Sequence, residues 1–280
     1  MSGALDRALP LLACAHCGKT LSRVDQRSVG CVGGHRFDLA RQGYLPLLGV
    51  RSRLDTGDDA AMVAARSEFL HRGHYRPIAD AVTLRCTGAV LEVGAGTGYY
   101  LAHTDPDLGI ALDSSRYAAR RAVCAHPRVA SVLADAWSPL PVADAVIDTA
   151  LVIFAPRVPA EIGRVLRPGG RAVVVTPLPG HLAQVRKPLG MLDIDPGKAE
   201  ALPARWSAAF ALAAAVQVTA ELQLGHDDLR ALVAMGPSAR HRTAIQIAAA
   251  VDALEATVTV DLAVTVTELR RLPAARHAAE

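Results

Sequence analysis

Three cysteines and a histidine near the start of the chain stand at a metal-binding spacing, Cys14-x2-Cys17-x13-Cys31-x3-His35. Two thiolates on one turn, with a thiolate and an imidazole on another, are the four borderline-soft donors of tetrahedral Zn2+. Gly18 follows the first pair, and Gly33 with Gly34 separates the second, where the backbone must curl toward sulfur. His16, wedged between two cysteines, is sterically the poorer donor. Four protein ligands leave no position open for water, so the site reads as structural. A segment of about 35 residues cannot fold on its apolar content alone, and zinc contributes on the order of 10 kcal/mol to such a module. The other two cysteines, Cys86 and Cys124, stand alone in apolar surroundings and read as buried thiols.

A second constellation begins at Ala89-Val-Leu-Glu92-Val-Gly94-Ala-Gly96-Thr-Gly98-Tyr99-Tyr100. It reads as a short apolar strand, a glycine-rich turn and a helix start. Glycines at 94, 96 and 98 let the backbone approach a ligand closely. The pattern after Glu92 departs from the dinucleotide fingerprint, because Tyr99 replaces its third glycine. That shifts the expectation from a nicotinamide dinucleotide to S-adenosylmethionine, which has no pyrophosphate to seat on a helix. Gly109 to Asp113 reads as a second strand ending in an acid, placed to accept the ribose hydroxyls. After a third strand, Val129 to Leu133, Asp135 falls where an adenine amino group would lie.

The elements that must position these residues follow the same rhythm. Thr56-Gly57-Asp58 offers a turn and cap before a helix carrying Met62, Arg66, Phe69 and Leu70, and a new helix begins after Tyr75. Tyr75 alone reads as a core aromatic, and gains interest only beside a ligand site. Ala145 to Phe154 reads as a fourth strand, Ile162 to Leu166 as a helical turn, Arg167 to Gly170 as a turn and Arg171 to Thr176 as a fifth strand. Gln184 to Glu200 is a polar connector and a candidate lid. Val216 to Leu224 and Thr257 to Val266 supply a sixth and a seventh strand, the last antiparallel. Alternating strands and helices predict an α/β, doubly wound, seven-stranded Rossmann-like sheet with its ligand at the carboxyl ends of the strands.

Composition narrows the class. The 280 residues carry 30 Lys plus Arg against 27 Asp plus Glu. Residues 1–55 hold eight basic and four acidic side chains, a net of +4, and the remainder 22 basic against 23 acidic. A basic appendage before a near-neutral body suits an anionic partner such as nucleic acid. Arginine supplies almost all the positive charge, but with so much alanine this is the mark of GC-rich codons rather than of phosphate recognition. No apolar run reaches the roughly 20 residues that span a bilayer, and the opening ten residues lack a signal-peptide core, so the expected location is the cytoplasm.

The loop, the acids and Leu166-Arg-Pro-Gly-Gly170 resemble a class I S-adenosylmethionine-dependent methyltransferase. The whole chain, from the Cys14-x2-Cys17 pair through Gly73-His-Tyr75, Gly98-Tyr99-Tyr100, Phe154-Ala-Pro156 and Thr176-Pro-x3-His181-Leu, resembles the 23S ribosomal RNA guanine-N1 methyltransferases with an amino-terminal zinc finger. Met235-Gly-Pro-Ser238 and the composition are similar to the macrolide-resistance branch, of tylosin and mycinamicin type, which modifies guanine 748 rather than 745. The resemblance implies cofactor contacts at Tyr75, Gly98, Tyr99, Asp113 and His181, beside Glu92, Gly94, Gly96 and Asp135 of the loop and its acids. It implies a division into residues 1–50 for zinc and RNA recognition, 51–80 as a helical connector and 81–280 as the methyltransferase domain. It also implies a 23S RNA hairpin as partner, no membrane, and an assembly open to a homodimer. The base that removes the guanine N1 proton stays open between His181, Asp148 and a backbone carbonyl. Phe154 is placed to stack on the target, and Arg36 with Arg41 to clamp phosphates. The rival readings are a small-molecule methyltransferase acting on an antibiotic or quinone, with a scaffolding zinc module, and a non-catalytic RNA-binding protein.

Overall fold

The computed structural model describes residues 3–50, 52, 57–155, 158–195, 197 and 201–273. Thr56, Pro156, Pro196 and residues 198–200, used in the reading above, lie outside them. A short helix α1 (Gly3–Ala8) leads into a three-stranded antiparallel sheet of β1 (Leu21–Asp25), β2 (Ser28–Cys31) and β3 (Arg36–Asp38). Then come the two-residue strand β4 (Leu45–Pro46) and helices α2 (Ala60–His71) and α3 (Arg76–Thr83). The cap of α2 is Asp59, which accepts from Met62 N at 2.9 Å, one residue past the expected turn.

The larger body then alternates: β5 (Ala89–Val93), α4 (Tyr99–His103), β6 (Leu108–Asp113), α5 (Arg116–Ala122), β7 (Val129–Leu133), β8 (Ile147–Ile153), α6 (Pro159–Val165) and β9 (Leu166–Pro177). These five strands are parallel and, apart from the first half of β9, largely buried, as strands covered by helices on both faces must be. β8 is shorter than expected because Ala145 (φ 54°) and Phe154 (φ 51°) both turn left-handed and end the ladder. In β9 the pairing jumps from Leu166 to Arg171 while β8 advances from Ile147 to Thr149, so Arg167 to Gly170 bulge out as the expected turn, with Gly169 at φ 76°.

The chain closes with α7 (Ala183–Arg186), α8 (Leu202–Trp206), β10 (Phe210–Gly225), α9 (His226–Ala234), α10 (Ala244–Asp252) and β11 (Thr257–Arg271). The sheet order is β10-β11-β9-β8-β5-β6-β7-β4, with β11 antiparallel to both neighbours. The seven expected strands are thus joined by an eighth, since Leu45 and Pro46 pair in parallel with Val132 and Leu133 of β7.

That edge pairing has an energetic counterpart. Leu5, Leu9, Leu12, Leu21, Val29, Phe37, Leu45 and Leu47 pack in one cluster with Leu91, Ile110, Val132 and Ile147 of the large sheet. Each such fully buried side chain contributes roughly 1.5 to 3 kcal/mol. The other face of the sheet holds Phe69, Tyr75, Ile78, Leu151 and Val175 under α2, α3 and α9. The lone thiols depart from expectation. Cys124 is exposed in the turn after α5, and Cys86 is only partly buried, its thiol donating to Val82 O and pushed up to about 12 by burial. Among the described residues no helix is long and apolar enough to cross a membrane.

Candidate functional site

The carboxyl ends of β5, β6, β8 and β9 open into a cavity of about 870 Å³, within the range of small-molecule sites. The glycine loop after β5 forms its floor. Gly94 N and Ala95 N both donate to Leu112 O, at 2.8 and 3.0 Å, and so tie the loop to the end of β6. Gly94, Gly96 and Gly98 are left-handed, with φ of 71°, 55° and 76°. Gly98 packs closely against the turn after α5, where a Cβ on it would stand 2.9 Å from the Ala125 side chain.

Two acids set the polarity of this floor. Asp113 accepts from Gly96 N at 2.7 Å through Oδ2 and from Ser115 N at 2.8 Å through Oδ1. Burial pushes its carboxyl above the ordinary range despite those donors. Glu92 is buried and accepts from Leu101 N at 3.0 Å, and burial, with Asp113 nearby, raises it to about 8. Tyr99 lines the cavity beside them. Asp135 lies next to the lining and not in it. Its oxygens accept from Trp137 N (2.9 Å) and the Ser138 hydroxyl (2.8 Å), so Ala136 and Trp137 form the wall instead.

The opposite wall is aromatic. His181, just past β9, is buried and accepts from Ala263 N at 3.2 Å through Nδ1. The proton therefore sits on Nε2, which donates to the Tyr75 hydroxyl at 3.3 Å. Burial, reinforced by Arg186, lowers His181 to about 4. Phe154 stacks on its ring at 6.0 Å and 21°, and is 41% exposed toward the opening. A bulky residue held left-handed at a cavity edge is strain of the kind kept for function.

Asp148 is removed from the list of bases. It stands second in β8, at the amino end of the sheet, and accepts from Ala89 N and Arg167. His181 is a poor base as well, since both ring nitrogens are engaged and its affinity for a proton is lowered. Sequence reading missed Asp193, Asp195, Arg186 and Arg66, all of which line the cavity. The signal for Arg66 was present: a charged residue on the apolar stripe of α2 has to reach something polar.

The amino-terminal cluster assembles as the spacing requires. Cys14 Sγ and Cys31 Sγ each lie 3.5 Å from His35 Nδ1, and Cys17 Sγ lies 3.6 Å from Cys31 Sγ. All four ligand atoms fall within 4.8 Å of one another. A tetrahedron with Zn–S near 2.3 Å and Zn–N near 2.0 Å has edges of about 3.5 to 3.8 Å, so the donor set fits zinc. Gly33 completes the cradle, where a Cβ would press to 3.2 Å from Cys17 Sγ. His16 stays out, its ring stacked 5.5 Å from Phe37. Arg36 pairs with Asp25 and Arg23 with Asp6, so the basic face of this module is partly neutralised internally.

The family model of the zinc ribbon "RlmA, N-terminal" matches residues 12–53. A 23S rRNA (guanine(748)-N(1))-methyltransferase of Streptomyces fradiae is 40% identical over 274 residues, covering 94% of this chain and 97% of that one. A chain of Micromonospora griseorubida named as a 23S rRNA (guanine-N(1)-)-methyltransferase is 39% identical, with 94% and 98% covered. Among solved structures, the YcgJ protein of Bacillus subtilis superposes with a TM-score of 0.49 at 16% identity, over 71% of this chain and 100% of that one. With about 40% identity over 94% of its length, the chain belongs to the 23S rRNA (guanine-N1)-methyltransferase family.

Proposed function

We propose that the protein transfers a methyl group from S-adenosylmethionine to N1 of a guanine in a hairpin loop of 23S rRNA, at position 748, and that this modification confers resistance to macrolides of the tylosin or mycinamicin type. What carries the reading is near-full-length similarity to the Streptomyces fradiae enzyme, joined to a glycine-floored cavity ending in Asp113. The donor set suits the cofactor, since Asp113 can accept ribose hydroxyls while Glu92 orders the loop from beneath. When bound, S-adenosylmethionine supplies an electrophilic methyl on a sulfonium.

The chain's own residues do the rest. Gly94 and Gly96 admit the cofactor against the backbone, and Tyr75 and His181 close the far wall. Phe154 offers a ring face on which an extruded base can stack, and unstacking a loop base costs only a few kcal/mol. Holding N1 in line with the methyl supplies several kcal/mol. The N1 proton needs an acceptor, and the candidates are Asp193 and Asp195, which line the cavity and are not committed to the floor as Asp113 and Glu92 are. Residues 1–50 act as the RNA grip, 51–80 as connector and 81–280 as catalyst. A ribosomal substrate puts the enzyme in the cytoplasm, and the exposed Leu212 and Val216 on the outer strand β10 offer an edge for a homodimer.

The test is methyl transfer from labelled cofactor to unmodified 23S rRNA, with the product mapped by reverse-transcription stops. A stop at guanine 748 is expected. Label recovered only on an antibiotic or quinone, with no stop in the hairpin, overturns the reading. Expression in a sensitive host, with growth measured against tylosin, tests the resistance role.

A further inference from the structure

Among the described residues three arginines line the cavity, and they are not equivalent. Arg186 directs Nη1 to His181 O and Nη2 to Pro179 O, so both of its terminal nitrogens are tied to the turn after β9, and its Nε is buried without a partner. Arg240 reaches across to Gly57 O at the rim. Of these three, Arg66 lies on the glycine loop: a Cβ on Gly96 would stand 3.3 Å from its Nη1 and 3.4 Å from its Cδ. Its Nη2 forms an ion pair with Asp58 Oδ2 and donates to Met235 O, each at 2.7 Å, so the guanidinium is anchored from two other elements. Nη1 has no hydrogen-bond partner among the described residues. Its positive charge is felt by Asp113, Tyr75 and Tyr100, which places it centrally among the cavity's polar groups.

The cofactor assigned to this cavity has two ends of different charge. The hydroxyls of the nucleoside end suit Asp113. The amino-acid end carries an ammonium and a carboxylate, and the acids on this floor can meet only the ammonium. A carboxylate there needs a fixed cation, and a planar guanidinium held by two protein acceptors is preorganised for it. We propose that Arg66 is the residue that binds the cofactor's amino-acid carboxylate, with Asp58 and Met235 O positioning its guanidinium. The inference rests on the S-adenosylmethionine reading of the cavity. The alternative source of the same chemistry is a phosphate of the RNA.

The experiment compares two ligands by calorimetry on the full-length, zinc-loaded protein. S-Adenosylhomocysteine carries the amino-acid end, and 5′-methylthioadenosine shares the nucleoside but lacks it. Arg66→Ala is expected to weaken S-adenosylhomocysteine by about 10- to 100-fold, as for a lost charged hydrogen bond, while methylthioadenosine binding changes less than about twofold. Arg66→Lys, which keeps the charge but not the fork, is expected to fall between. Retained methylthioadenosine binding also shows that the variant is folded. Equal losses for both ligands, or an unchanged affinity for S-adenosylhomocysteine, overturn the proposal, and the latter with weakened RNA binding assigns Arg66 to phosphate. If Arg66→Ala does not fold, Arg66→Lys decides: undiminished selectivity for S-adenosylhomocysteine over methylthioadenosine overturns the role of the fork. Wild-type protein that binds neither ligand overturns the cofactor reading itself, a distinct result.

Discussion

The Tyr75 hydroxyl and His181 Nε2 lie 3.3 Å apart in a buried pair that joins the start of α3 to the end of β9. Because Nδ1 already accepts from Ala263 N, His181 is held as the neutral Nε2–H tautomer and donates to the tyrosine oxygen. The hydroxyl proton of Tyr75 is thereby left to point elsewhere, and the cavity lies beside it.

A pH dependence follows from that pair. His181 is lowered to about 4 in the folded protein against an ordinary value near 6.5, so between these values the unfolded chain binds more protons. Stability is full above about pH 6.5 and falls as the pH drops toward 4, by on the order of 3 kcal/mol from this group. His181→Gln, which cannot take up the proton, should show a shallower fall. Melting temperatures of the two proteins measured from pH 7.5 to 4.5 check this, and parallel curves would refute it.

Asp193 tests the proton acceptor. Asp193→Asn is expected to lower the rate of methyl transfer by about 10²- to 10⁴-fold while S-adenosylhomocysteine binds as before. Single-turnover rates across pH 6 to 9 distinguish an acceptor from a binding residue. An undiminished rate moves the role to Asp195 or to solvent.

Base stacking predicts a separation of effects at Phe154. Phe154→Ala should weaken engagement of the RNA hairpin by about 10- to 100-fold, the value of a stacked base, and leave cofactor affinity within a few fold. Filter binding of a hairpin RNA and calorimetry with S-adenosylhomocysteine measure the two sides. Loss of cofactor binding alone contradicts the assignment.

Zinc removal should be felt beyond the module that holds it. Leu12, Leu21, Leu45 and Leu47 share a cluster with Leu91 and Ile110, so the ribbon and the large sheet support one core. Cys31→Ser, or chelation, is expected to abolish RNA binding and to lower the melting temperature of the whole chain in one transition. Two separate transitions, with the upper one unmoved by chelator, would show the bodies to be independent.

The RNA grip is electrostatic on this reading, so affinity should fall steeply with salt. Arg41→Gln should reduce the slope of log affinity against log salt by about one unit. Arg36→Gln should change it less, because Arg36 is already paired with Asp25. Equal slopes for wild type and Arg41→Gln would remove Arg41 from the interface.

Much of this protein is legible in one dimension. The spacing of Cys14, Cys17, Cys31 and His35 determines a tetrahedral donor set, because a ligand pair with two or three residues between its members closes within a single turn. Strand β7 and the glycine loop are equally local, fixed by apolar runs and by positions that only glycine fills without strain. Asp113 is legible too, since a strand that ends beside a glycine loop delivers its last side chain there.

What tertiary structure alone decides is which distant groups meet and which end of the sheet a side chain occupies. Asp148 and Phe154 belong to one apolar run, yet the parallel register puts one at the amino end and the other at the cavity. Asp135 has the expected position along the chain, but its carboxylate is drawn back to Trp137 N and Ser138. His181 acquires its tautomer from Ala263, 82 residues away, on a strand that inserts antiparallel beside β9. Arg66 is joined to Asp58 within its own region but to Met235 across 169 residues. Local geometry is dictated by neighbours in sequence. Proton position, basicity and charge pairing depend on burial and on partners that only long-range packing brings within hydrogen-bonding distance.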